Sequence, residues 1–89
     1  MKIKSLPIQG SYEVKYSNFS DSRGAFKRLF CHEELKEKVL NKEIVQVNFS
    51  ETYKKGSVRG MHFQKLPKPE IKLVHCVNGS VFDVIIDLR

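Results

Sequence analysis

At 89 residues, 40% hydrophobic and 29% charged, with a net charge of +6, the chain is long enough for one soluble folded domain and too apolar for a disordered tail. No apolar run nears the ~18 residues needed to span a bilayer, and "MKIKSLPIQG" lacks the apolar core of a secretory leader, so no membrane partner and a cytoplasmic location are expected. The positive charge favours an anionic partner, but the basic residues are dispersed, with no run longer than a pair such as Lys54-Lys55, so nucleic acid is not the expected partner.

A chain this short buries only ~60–65% of its unfolded surface and gains from an additional partner. Cys31 and Cys76 stand far apart with no CxxC spacing and are expected to be reduced and buried.

In chain order, "SYEVKYS" alternates, with Tyr12, Val14 and Tyr16 on one face, and reads as a strand. "NFSDSRG" reads as a turn and "AFKRLF" as a second strand, which predicts a hairpin over 11–30. "HEELKEKVLN" is the one helical candidate, over 32–40, with a narrow stripe of Leu35, Val39 and Leu40 that Asn41 would end. Beyond Glu43 the texture is that of strands. "EIVQVNFS" sends Val45, Val47 and Phe49 one way and Gln46, Asn48 and Ser50 the other. "YKKGS" is a turn, "VRGMHFQ" a strand, and "KLPKPE" a loop, because Pro67 and Pro69 have no ladder donor.

The last twenty residues carry the clearest pattern. Asn78-Gly79 predicts a two-residue type I′ hairpin. That register sets Val77 opposite Ser80, Lys72 opposite Ile85, Val74 opposite Asp83 and Cys76 opposite Val81. One face then carries Lys72 and Asp83 among small apolar groups. The other, with Leu73, Val77, Phe82, Val84, Ile86 and Leu88, is nearly all apolar and needs a cover. A lysine and a carboxylate among apolar neighbours either line a pocket or face solvent.

Strand alternation through "VRGMHFQ" groups Gly60, His62 and Gln64 on one face and leaves Arg59 on the other. A site using both Arg59 and His62 therefore needs a bulge or a strand start near Gly60. Spacing alone does not make this an active site. A metal centre is not expected: His62 is followed by Phe63 and Gln64 where a metal-binding cupin has His-x-His, and His75 falls on the apolar hairpin face. No phosphate-cradling glycine loop is present.

Taken as an ordered set, "DSRGAF", "QVNFS", "VRGMHFQ", "IKLVHCVNGSVFDV" and "IDLR" resemble the N-terminal half of the dTDP-4-dehydrorhamnose 3,5-epimerase family. The resemblance implies an all-β, cupin-like jelly roll, here its partial, N-terminal half with one short helix near residues 32–40, forming a single truncated domain over 1–89. It implies a homodimer whose N-terminal strand segment reaches the neighbouring subunit, and no metal or other cofactor. The implied partner is a nucleotide-diphosphate sugar, a 4-keto-6-deoxyhexose linked to thymidine diphosphate, on the route to rhamnose-type deoxysugars.

By the same resemblance, His62 is the general base that takes a proton next to the ketone, a role that suits the ordinary titration range of an imidazole. Lys72 is the cation on the developing enolate oxygen, a fixed donor of a kind worth ~3–4 kcal/mol in a transition state. Arg59 and Arg23 are contacts to the sugar or diphosphate, Arg23 supplied to the neighbouring subunit, and Gln46 and Asn48 are amide contacts on the nucleotide side. Asp83 belongs to the fingerprint; the predicted register sets it on the Lys72 face, where it would pair with that lysine or orient an imidazole.

The chain departs from the family pattern at Arg28, a substrate-binding position where a glutamate is usual. The family's tyrosine general acid is not matched by Tyr12, Tyr16 or Tyr53, and the chain stops at Arg89 before the family's second half. Two functions follow: an epimerase acting on a nucleotide-linked 4-ketosugar, or a catalytically impaired nucleotide-sugar binding or assembly module left by truncation.

Overall fold

The computed structural model describes residues 1–39 and 41–89. It divides into two units, Met1–Glu43 with Ile86–Arg89, and Ile44–Ile85. Regular structure is mostly strand: β1 (Lys2–Ser5), β2 (Tyr12–Lys15), β3 (Asn18–Asp21) and β4 (Gly24–Lys27), followed by one short helix, α1 (His32–Leu35). This is an all-β chain with a short helix.

In the first unit, β1 pairs antiparallel with β2, setting Ile3 opposite Val14. The connecting turn is closed by the Ser11 N–H and hydroxyl, both donating to the Ile8 carbonyl at 3.0 and 2.6 Å. Strand β1 was not anticipated, although Lys2-Ile3-Lys4 has the period-two alternation of a half-buried strand. The C-terminal segment joins this unit through Arg89, whose guanidinium donates to the Gln9 carbonyl and pairs with Asp87.

The hairpin predicted over 11–30 is not the one formed. Tyr12–Lys15 pairs back to β1, and the predicted turn Asn18–Asp21 is itself a strand, paired with β4. Phe19 then lies opposite Phe26. A two-residue loop of Ser22 and Arg23 closes this pair at less entropic cost than the longer loop first read. The Asp21 carboxylate accepts the Arg23 N–H at 2.8 Å, the side-chain-to-backbone bond that makes aspartate a turn residue.

Helix α1 is shorter than predicted. The Lys36 N–H donates to the His32 carbonyl at 2.8 Å and the Val39 N–H to the Leu35 carbonyl at 2.8 Å, but the backbone beyond Leu35 is turn. Its N-cap residue, Cys31, offers no side-chain capping bond, and one buried contact supports little beyond a nucleating turn. Leu35, 1% exposed, is the buried hydrophobic residue among the described residues. Leu40, read as part of the same stripe, lies outside them.

The second unit contains the expected turns but no ladder. The Ser57 N–H donates to the Lys54 carbonyl at 3.3 Å and the Lys68 N–H to the Lys65 carbonyl at 3.1 Å. Among the described residues, nothing in 44–85 is helix or strand, and the predicted pairing across Asn78-Gly79 is not made. A type I′ turn needs positive φ at both central residues. Here Gly79 has φ +83°, while no described non-glycine residue has positive φ. The turn is thus closer to type II, which splays its flanks against the natural strand twist.

The apolar sides of this unit are uncovered, with Phe82 95% and Val45 91% exposed, and an uncovered two-stranded ribbon is marginal in water. The thiols are free as expected, but Cys31 is half-buried and Cys76 exposed, not buried. Among the described residues, no helix is long and apolar enough to cross a membrane.

Candidate functional site

Extended backbone places residues i and i+2 on one side of the chain. The polar contacts of this protein follow that rule repeatedly. Glu70 pairs with Lys72 and Asp87 with Arg89, and the Asn48 amide donates to the Gln46 side chain at 3.4 Å; Asp21 and Arg23 are also two apart but pair across the turn between β3 and β4. Four of the eight candidate site residues, Arg23, Gln46, Asn48 and Lys72, therefore have a partner two residues away.

Within 44–85, a hollow of about 360 Å³ is lined by His62, Phe63, Gln64, Pro69, Glu70 and Lys72. The imidazole and the ammonium singled out from sequence are thus both among the residues lining one hollow. All six residues are exposed, so the hollow is open to water. Its volume lies at the small end of the ~300–1,000 Å³ usual for ligand sites, room for a sugar ring but not for a whole nucleotide-sugar.

His62 and Gln64 line the hollow together, as alternation predicts, but Phe63 lines it too, so the segment is not a regular strand. Gly60 stands two residues before His62. Its φ of +106° is one that side chains rarely adopt, whereas a Cβ there would meet the His62 Nδ1 only at an ordinary 3.5 Å. Backbone conformation, not space, requires the glycine. Arg59 does not join His62: its guanidinium donates to the Glu51 carbonyl at 3.1 Å, and it does not line the hollow.

Lys72 Nζ lies 3.0 Å from Glu70 Oε1. The pairing with Asp83 that the hairpin register predicted is not made, because the register itself is not formed. Asp83 neither lines the hollow nor forms an ion pair among the described residues. Phe63, Pro69 and Glu70 were not singled out from sequence. Glu70 had a signal, Glu-x-Lys in an extended stretch after a proline.

The remaining candidates lie in the first unit. Arg23 binds Asp21 at 2.6 Å, and its hydrogen bonds hold that carboxyl below the usual carboxylate range. Arg28 binds Glu34 at 2.7 Å. That contact, with a second from the N-terminal amine, pulls the Glu34 carboxyl down and raises the arginine. Among the described residues, no group of three or more His, Cys, Asp or Glu side chains gathers as metal ligands would.

Comparison with known proteins gives these positions a context. Residues 5–89 match the family model described as dTDP-4-dehydrorhamnose 3,5-epimerase. A protein of that name from Sinorhizobium fredii is 37% identical over all of this chain and 46% of its own length. One from Shigella flexneri is 46% identical over 80% of this chain and 39% of its own length. A dTDP-4-dehydrorhamnose 3-epimerase from Streptomyces niveus is 36% identical over all of this chain and 43% of its own length. The chain thus spans about half the length of the curated relatives it matches, and no solved structure matches it. With a family model covering nearly every residue and relatives aligned along the whole chain, the protein belongs to the dTDP-4-dehydrorhamnose 3,5-epimerase family.

Proposed function

We propose that the chain carries the base and the oxyanion cation of an epimerase acting on a thymidine-diphosphate 4-keto-6-deoxyhexose, in rhamnose-type deoxysugar formation. The observation that supports this reading most is the shared hollow of His62 and Lys72. The ketone acidifies the protons on both neighbouring carbons. His62 takes one of them as general base, and Lys72 donates to the oxygen on which the enolate charge develops. Return of the proton to the opposite face inverts the centre. The relatives are named both as 3,5- and as 3-epimerases, so family membership does not fix how many centres are inverted.

Arg59, Gln46 and Asn48 serve the diphosphate and nucleotide in this reading. Arg23 and Arg28 would each exchange or share a carboxylate for a phosphate, which their forked donors suit. Asp83 takes no step in it. The 89 residues form part of one cupin-like jelly roll, cytoplasmic and homodimeric. The large apolar side chains exposed along 44–85 support a covering partner, and elution as a monomer at micromolar concentration in size-exclusion chromatography would count heavily against the dimer.

The test is wash-in of solvent deuterium at the two carbons flanking the ketone. Exchange is expected; ligand bound by intact protein with no exchange would overturn the catalytic reading. The openness of the hollow favours a second reading, because an enolate is best protected where water is excluded. In it, the chain is a nucleotide-sugar binding or assembly module with its catalysis impaired, and His62→Asn leaves its biological activity intact.

A further inference from the structure

We propose that Glu70 is a positioning residue that holds the Lys72 ammonium at the hollow shared with His62; this rests on reading that hollow as the 4-ketosugar site. The two charged groups are 3.0 Å apart and both line the hollow. A lysine carries its charge on a flexible four-carbon stem, and nothing in an open hollow restricts where that stem points. An ammonium has three donors, so one spent on Glu70 leaves two for a ketone oxygen.

The geometry of the pair is local. Glu70 and Lys72 are two residues apart and both line the hollow, so both side chains leave the backbone toward it. Pro69, which also lines the hollow, fixes its own φ immediately before Glu70 and narrows the directions that the carboxylate can take. Both side chains are about half exposed, so water screens the pair and its effect on folding is small. Removing the carboxylate therefore frees the ammonium to swing away without unfolding the chain.

Two measurements on the full chain test this. The first needs no activity: acylation of Lys72 by an acetyl ester of N-hydroxysuccinimide, read by peptide mass. Glu70→Gln should raise the rate roughly two- to fivefold, the factor an exposed ion pair carries, with Glu70→Asp between. Equal rates in all three proteins overturn the pairing. The second is deuterium exchange at saturating 4-ketosugar. Glu70→Gln should lower it by a similar factor, Glu70→Asp should restore part, and affinity for thymidine diphosphate, which lacks the sugar, should stay unchanged. An equal fall in thymidine diphosphate affinity overturns the positioning role in favour of a general structural one. If the unsubstituted chain exchanges nothing while the acylation difference persists, the sugar-site reading fails and the pairing stands.

Discussion

The two units make opposite uses of extended chain. In Met1–Glu43 with Ile86–Arg89, short strands find partners within a few residues, and a buried leucine and a set of ion pairs close the unit. In Ile44–Ile85 the sequence is richer in β-branched residues, yet no ladder forms and the apolar side chains face water. The second unit nevertheless holds the hollow with the imidazole and the ammonium. Strand propensity is a preference for a half-buried pleated surface, and it becomes a sheet only where a partner and a cover are at hand. Local turns supply the partner in the first unit. In the second, the described residues supply neither partner nor cover, and the β-branched segments stay unpaired.

The comparison breaks most sharply if chemistry and stability do not separate between the units. His62→Asn should reduce deuterium exchange by ~10²–10⁴-fold, the usual worth of a general base, with no change in the thermal midpoint. A fall in both would make His62 a structural residue.

Next in size is the contrast between Leu35→Ala and Val45→Ala. Emptying the Leu35 site should cost ~2–5 kcal/mol in denaturant unfolding, whereas truncating a valine that is almost fully exposed should stay within ~0.5 kcal/mol. Equal losses would mean that the second unit is covered in solution, and their dependence on protein concentration would identify a second copy as the cover.

A smaller effect tests the β3–β4 hairpin. Phe26→Ala removes the cross-strand partner of Phe19 and should cost ~0.2–1 kcal/mol, measured by hydrogen exchange of the Asn18–Lys27 amides. No loss of protection would show that the turn alone holds the hairpin.

The smallest is electrostatic. Arg28, then the N-terminal amine, depress the Glu34 carboxyl; Arg23 depresses Asp21 and Arg89 depresses Asp87. Each of these carboxyls titrates lower folded than unfolded. The stabilisation is therefore present above the ordinary carboxylate pKa near ~4, and it is lost as pH falls through the depressed folded value. Carboxyl titration by NMR should show all three midpoints depressed, and Arg28→Ala should return Glu34 most of the way. A Glu34 midpoint indifferent to Arg28 would dissolve that ion pair.

Several features are legible in the amino-acid sequence. The turns at "YKKGS", "KLPKPE" and Asn78-Gly79 lie where their Gly, Pro and Asn residues predict, because turn chemistry is local. The family followed from five motifs in order. The resemblance singles out His62 and Lys72, and both are among the residues that line the hollow. The hairpin partners were misread, because alternation locates a strand without naming its neighbour. The Lys72–Asp83 pairing failed for the same reason: it was inferred from a ladder, and the ladder is absent. Glu70 was overlooked because a carboxylate two residues from a lysine is ordinary in sequence and acquires meaning only beside a cavity.

The family, the strand-rich texture of the chain and the positions of its turns are fixed by the amino-acid sequence. All of these are written in residue types over a few positions. Only the tertiary structure decided which strands pair, that Leu35 is buried while the valines of 44–85 are not, and that Lys72 answers to Glu70. Those depend on what lies across from each residue, and pairing, burial and charge complementarity are properties of two surfaces together.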